Sequence, residues 1–262
     1  MTRILRYSGA SNAALAQNHL HAHAASFALS FYARDAVYSF IPKNACSTMR
    51  YSLALANGAI EGPSQFTWIH ANNNTFRASL RELARAEYTF VILRDPFLRL
   101  ASCFLDKIVD QTHVAFKLRE LTNYARQPYD FTFREFVNLL PTYLRADEHW
   151  RPQVDFLVYK TYDDAFAFEA FPAAVKTLKK RIGLVVHDAR GLTKHGADQY
   201  KTIKGDAGVA DLPAFDLLAL KRAGKAPPLV NFYDRKLIDL VAALYADDIA
   251  LYRQWTGRKP AF

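Results

Sequence analysis

The sequence predicts an α/β fold, a central parallel sheet flanked by helices in three layers, and three observations carry that expectation. Short apolar runs alternate with helical patterns, a strand, tight turn and helix occur together twice, and Tyr88 to Leu93 (YTFVIL) is apolar enough for a central parallel strand. The chain has 262 residues, 51% hydrophobic and 23% charged, which suits a sizeable core and excludes disorder as the main state.

The elements follow in order. Residues 1–30 are polar, Ala-rich and read as an irregular segment before one domain over 31–262. Ala36 to Ile41 is a β-prone run that ends at Pro42, and Ser47 to Asn57 places Met49, Leu53 and Ala56 on one helical face before Gly58 stops it. After Tyr88 to Leu93 come Arg94-Asp95-Pro96 and a helical pattern through Leu98, Ala101, Leu105 and Ile108. Thr132 and Glu135 form a capping box for a helix with Phe133, Phe136, Val137 and Leu140 inward. Phe156 to Tyr159 (FLVY) is expected as a third strand, Ala165 to Ile182 as a helix punctuated by Pro172, and Tyr233 to Trp255 as one long amphipathic helix. Residues 187–230 hold most of the Gly and Lys and read as loop-rich.

Lys and Arg number 34 against 25 Asp and Glu, a net charge of +9 that favours an anionic partner. The two cysteines, Cys46 and Cys103, exclude a disulfide-dense scaffold and a four-cysteine zinc module, and make a reducing, cytoplasmic setting the default. The N-terminus lacks an uninterrupted apolar stretch, and no run approaches the roughly 20 residues of a membrane span. A soluble protein without an integral membrane segment is expected.

Two turns carry the chemistry. In PKNACST, Lys43 stands between a strand end and a helix start, and small residues let backbone N–H groups converge. Those groups, with the helix dipole and the hydroxyls of Ser47 and Thr48, favour a phosphate or sulfate. The loop is not a Walker A motif, because the glycines are missing and the lysine is four residues ahead of Ser47. In the second turn, Arg94 is placed for a bidentate phosphate contact at a strand's C-terminal end, where open α/β sheets bind ligands, and Ser102 follows two helical turns on. The plainer readings are a loop lysine with Ser47 as a cap, and an Asp95 cap with Arg94 and Arg99 as surface charges.

These residues carry a family resemblance. FIPKNACST resembles the 5′-phosphosulfate loop of sulfotransferases that use 3′-phosphoadenosine 5′-phosphosulfate, and ILRDPFLRLASCFLDKI resembles their 3′-phosphate motif. The best match is the carbohydrate group: Golgi chondroitin-type enzymes, heparan sulfate 2-O-sulfotransferase and bacterial relatives. Glu148-His149-Trp150-Arg151-Pro152-Gln153 resembles its His-Trp-x-Pro-Gln segment, Phe168-Glu169 its Phe-Glu element, and Leu244-Tyr245-Ala246-Asp247-Asp248 its Tyr-x-x-Asp helix. The matches run in family order over roughly residues 36–255. One departure is Thr193-Lys194-His195-Gly196-Ala197-Asp198, which lacks the Asn of the family's His-x-Asn element.

The resemblance implies a P-loop-type fold and in-line transfer of a sulfuryl group to a hydroxyl of a carbohydrate or glycan-like acceptor. Lys43 and the N–H groups of Asn44, Ala45, Cys46, Ser47 and Thr48 would hold the phosphosulfate, and Arg94 and Ser102 the 3′-phosphate. His70 is the expected general base, since related enzymes keep a catalytic His in the interval before the 3′-phosphate motif. His149 is its rival and is otherwise assigned to the acceptor. Trp150, Tyr124 and Tyr129 are candidates for stacking on adenine or sugar. No metal is required by this chemistry, and His19, His21 and His23 have no evident companion ligands. A P-loop-type nucleotide kinase is opposed by the missing glycines and Mg²⁺-binding aspartate pattern, and a nucleic-acid-binding module by dispersed charge without a reader motif.

Overall fold

The computed structural model describes residues 3–9, 14–72, 74–123, 125–192, 200–203 and 208–262. The chain divides into two compact units, the first containing residues 1–94, 153–194 and 251–258, the second residues 95–152, 195–250 and 259–262.

The first unit is built on a four-stranded sheet in sequence order: β1 (Ala28–Phe31), β2 (Ala36–Ser39), β3 (Tyr88–Leu93) and β4 (Asp164–Ala167). β2, β3 and β4 run parallel, whereas β1 is an antiparallel edge that returns through a short turn with Asp35 in the left-handed region (φ 42°). The sheet is therefore mixed rather than wholly parallel. β2 and β3 are buried along their whole length, and Tyr38 stacks on its cross-strand partner Phe90 at 4.9 Å. The unit's helices are α1 (His19–Ser26), α2 (Cys46–Ala56), α3 (Trp68–Ala71), α4 (Leu80–Arg85) and α8 (Phe171–Ile182).

The second unit is helical, with α5 (Pro96–Cys103) running into a π turn over Phe104–Ile108, then α6 (His113–Leu121), α7 (Phe133–Tyr143), α9 (Ala214–Arg222) and α10 (Arg235–Leu244). The Thr132–Glu135 capping box forms as expected and starts α7. Its core gathers Phe97, Phe104, Phe133, Phe136, Trp150 and Phe232. A two-residue parallel pair, β5 (Lys201–Thr202) and β6 (Lys225–Ala226), also lies here. α11 (Ala246–Thr256) follows α10 after a break at Tyr245.

Four expectations need correction. Residues 19–31 are not irregular, because Asn18 caps α1 by accepting from Leu20 and His21 N–H, and β1 follows directly. FLVY is not a sheet strand; Phe156 ends a short 3₁₀ turn, and the run is apolar because it is fully buried. The third parallel strand is β4, whose Asp and Ala residues hid it, and Pro172 opens α8 rather than interrupting a longer helix. The expected helix over Tyr233–Trp255 is two helices, since Asp234 caps α10 and the chain leaves helical geometry at Tyr245.

Among the described residues no helix is long and apolar enough to cross a membrane.

Candidate active site

The three parallel strands of the first unit deliver their C-terminal ends to one edge of the sheet. β2 leads into Pro42-Lys43-Asn44-Ala45, β3 into Arg94 and β4 into Phe168. In the first of these turns Lys43 (φ 74°) and Ala45 (φ 57°) both adopt left-handed backbone, a conformation that costs a non-glycine residue about 1–2 kcal/mol. The strain turns the chain sharply from strand into α2. Ala45 has no side-chain group with which to cap the helix, and its carbonyl receives the first ladder bond, from Met49 N–H at 3.0 Å. The N–H groups of Cys46, Ser47 and Thr48 are thus left outside the ladder at the positive end of the dipole. Lys43 and Ser47 are both half-buried there.

Buried polar side chains hold this loop. Asn44 is fully buried and donates through Nδ2 to the Ile92 carbonyl at 2.8 Å and to Gln153 Oε1 at 2.6 Å. Gln153, also fully buried, accepts from Arg94 N–H at 3.0 Å and returns a bond from Nε2 to the Arg94 carbonyl at 2.8 Å. Arg94 in turn donates from its guanidinium to the Lys43 carbonyl at 2.9 Å, and stacks over the Phe168 ring at 4.4 Å. At 8% exposure Arg94 is no surface charge. Asn44, Arg94 and Gln153 form one network at the sheet edge. Glu169, beside Phe168, accepts from Tyr252 O–H at 2.8 Å.

His70 is exposed on α3, its ring edge-on to Phe66 at 5.7 Å. Arg50 of α2 donates to the Ile69 carbonyl, so the helix that follows the Lys43 loop grips the element that carries His70. Within the first unit, then, Lys43 to Thr48 and Arg94 are tied together and His70 is linked to them through α2.

The second unit holds the remaining candidates. α5 starts differently from α2, because Asp95 caps it by accepting from Phe97 N–H at 2.9 Å and Leu98 N–H at 3.2 Å. With Pro96 lacking an N–H, this helix start has its backbone donors engaged, and Ser102, further along α5, is buried. Arg99 is also buried, at 2% exposure, and donates to the carbonyls of Arg151 at 2.8 Å and Glu148 at 3.3 Å. It clamps the segment that bears His149. There His149 Nδ1 lies 2.7 Å from Asp147 Oδ1, and Lys117 reaches the other oxygen at 3.1 Å. Burial pushes the Asp147 carboxyl upward, but the His149 ring and backbone bonds, the His149 charge and Lys117 outweigh it and hold the group at about 2.

Trp150 is a core residue rather than a stacking platform: it is fully buried, donates to the Tyr143 carbonyl at 2.9 Å and has its own carbonyl taken by Tyr245 O–H at 2.5 Å. Tyr129 is exposed, while Tyr124 and residues 193–198 lie outside the described residues. His21 is buried and His23 packs against Phe27 and Phe156, so α1 turns these two into the first unit's packing. Among the described residues no group of three or more His, Cys, Asp or Glu is placed to hold a metal ion.

Comparison with family models matches residues 33–253 to the sulfotransferase family. The chain belongs to that family. Neither the curated proteins nor the solved structures give a match. For a sulfotransferase, the open α2 start beside Lys43 is the feature to expect, since sulfuryl transfer in general needs fixed donors around an anionic group. Two residues of this sulfotransferase escaped role assignment in the sequence. Gln153 was visible only as the end of a motif, and Phe168 only as half of a dipeptide, because their partners Asn44 and Arg94 are distant in sequence.

Proposed function

We propose that this sulfotransferase moves a sulfuryl group from 3′-phosphoadenosine 5′-phosphosulfate to a hydroxyl of a carbohydrate or glycan-like acceptor, with a P-loop-type anion cradle at the sheet edge. The observation that carries the reading is the uncapped start of α2 beside Lys43, held in strained backbone by the Asn44–Gln153–Arg94 network in a chain of this family. The Asn44 N–H is taken by the Ile41 carbonyl at 3.2 Å, so Asn44 shapes the loop instead of donating from its backbone. The N–H groups of Ala45 to Thr48 with the Lys43 ammonium hold the phosphosulfate and meet the charge that grows on the leaving phosphate as the S–O bond breaks. Arg94 and Ser102 take the 3′-phosphate and fix the register of the donor, a role that comes from the family resemblance. His70 removes the proton of the acceptor hydroxyl, supported by its accessibility and by the grip of Arg50 on its helix. A net charge of +9 is compatible with an acidic acceptor.

A second assignment of the base, His149, is favoured by Asp147, which fixes one ring nitrogen and so the orientation of the ring. Calorimetry with adenosine 3′,5′-bisphosphate, ATP and a DNA duplex tests the donor: selective binding of the bisphosphate is expected, and tight Mg·ATP binding with none of the bisphosphate refutes it. His70→Ala is expected to abolish turnover while bisphosphate binding persists. Near-normal turnover in that variant, with loss in His149→Ala, moves the base to His149.

A further inference from the structure

The last four residues of this chain grip the start of α5. Ala261 N–H donates to Asp95 Oδ2 at 2.5 Å, while Oδ1 of the same carboxylate caps Phe97 and Leu98. Pro260 is buried, and the Phe262 ring meets Phe97 edge-on at 5.2 Å and Tyr233 at 5.4 Å. Tyr233 in turn packs on Phe97 at 5.5 Å and donates its O–H to the Phe97 carbonyl at 2.7 Å. Phe97 is thus held at its N–H, its carbonyl and its ring, and two of those restraints depend on residues that contact Phe262. All of these groups belong to the second unit.

We propose that the 259–262 segment is a positioning element for the 3′-phosphate contact, acting through Asp95 and Phe97 on the direction of α5 and hence on Ser102. A helix transmits a change at its first turn along its length, and Ser102 lies five residues beyond Phe97, about 8 Å at 1.5 Å per residue. A bidentate or hydroxyl contact to a phosphate is sensitive to displacements well under that scale. An aromatic edge-to-face contact has a preferred geometry and contributes beyond the area it buries, enough to bias how the first turn sits. Phe262 itself is 40% exposed, so its loss opens no core cavity. The inference rests on the donor proposed above, because it concerns the one phosphate that distinguishes that donor.

The test compares two ligands, adenosine 3′,5′-bisphosphate and adenosine 5′-monophosphate, which differ only in the 3′-phosphate. The full chain is expected to prefer the 3′-phosphorylated ligand. Phe262→Ala is expected to weaken the bisphosphate by about 3- to 10-fold while leaving the other ligand unchanged, and Phe262→Tyr, which keeps the ring contacts, is expected to restore the preference. Equal weakening of both ligands means that the segment only supports the fold, and unchanged binding of both means that it does not act on Ser102; either result overturns the proposal. If the full chain itself shows no preference, the donor assignment fails and takes this inference with it, a result distinct from the two before it.

Discussion

Gln153→Met is the most informative single change, because it removes three hydrogen bonds from the network while nearly conserving side-chain length and volume. Gln153 is fully buried and accepts from Arg94 N–H and Asn44 Nδ2 while donating to the Arg94 carbonyl. Asn44 keeps its second bond, to Ile92, so the variant takes the Gln153 partner from two buried backbone groups, the N–H and the carbonyl of Arg94. Each buried group that loses this bond costs about 1–3 kcal/mol, and the cavity term is small, so a loss of about 2–5 kcal/mol is expected. Urea unfolding reads this as a lower midpoint at unchanged slope. A loss below about 1 kcal/mol would refute the network as a stabilising unit. Gln153→Glu supplies the control for shape. Its second oxygen faces the Arg94 carbonyl and must stay protonated to donate, so the folded pKa rises above the unfolded value of about 4.3. The stability of that variant is then fully present below about pH 4 and is lost as pH rises through the folded pKa. A variant indifferent to pH from 4 to 8 would show that the side chain does not face the carbonyl.

Three further outcomes follow from the same geometry. Asp147 is held at about 2 against an ordinary 3.8, so its contribution is fully present above pH 3.8 and fades as pH falls through 2; Asp147→Asn is expected to flatten the acid limb of unfolding by about 1–2 kcal/mol after solvent screening. Arg99→Ala removes its bonds to the carbonyls of Glu148 and Arg151, and is expected to destabilise by about 3 kcal/mol in a denaturant melt and to broaden the ring resonances of His149. Ala45→Val places a β-branched residue at φ 57° and is expected to cost about 1–2 kcal/mol in thermal unfolding, whereas Ala45→Gly tolerates that backbone and leaves the midpoint within error.

The parts of this molecule that were legible in the sequence are those fixed by neighbours along the chain. The helix after Lys43, the capping box at Thr132 and the strand at Tyr88 each depend on residues within one or two turns, and each stands where its local pattern put it. β4 was missed because its sequence, DAFA, has neither alternation nor β-branching; it is a strand because β3 offers it a parallel partner. FLVY failed in the opposite direction, since a fully apolar run records burial and not secondary structure. The site divides in the same way. Lys43, Arg94 and His70 belong to recognisable local motifs, but the bond between Arg94 and the Lys43 carbonyl, 51 residues apart, has no local signature. Neither does the burial of Arg99, which its charge alone assigns to the surface.

The two strand-end turns show why a shared local pattern does not imply a shared chemistry. Both place a cation just before a helix, and both helices begin at the positive end of a dipole. The residue at the cap separates them. Ala45 offers no acceptor, and the N–H groups behind it remain for an anion; Asp95 takes Phe97 and Leu98 N–H with one oxygen and Ala261 N–H with the other. A negative carboxylate already occupies the position at which a phosphate would meet the second helix. On the proposed function, the first turn is therefore suited to the group whose charge changes during reaction, where many converging donors matter most. The second, on the same proposal, holds a helix still, so that side chains along it would meet the 3′-phosphate, whose charge does not change. Asp95→Ala would uncover the N–H groups of α5 and loosen the 259–262 segment together, so its effect on bisphosphate binding is the net of a gained backbone donor set and a lost orientation. Tighter binding in that variant would refute this division of roles, because it would mean that exposed donors outweigh a fixed helix at the 3′-phosphate.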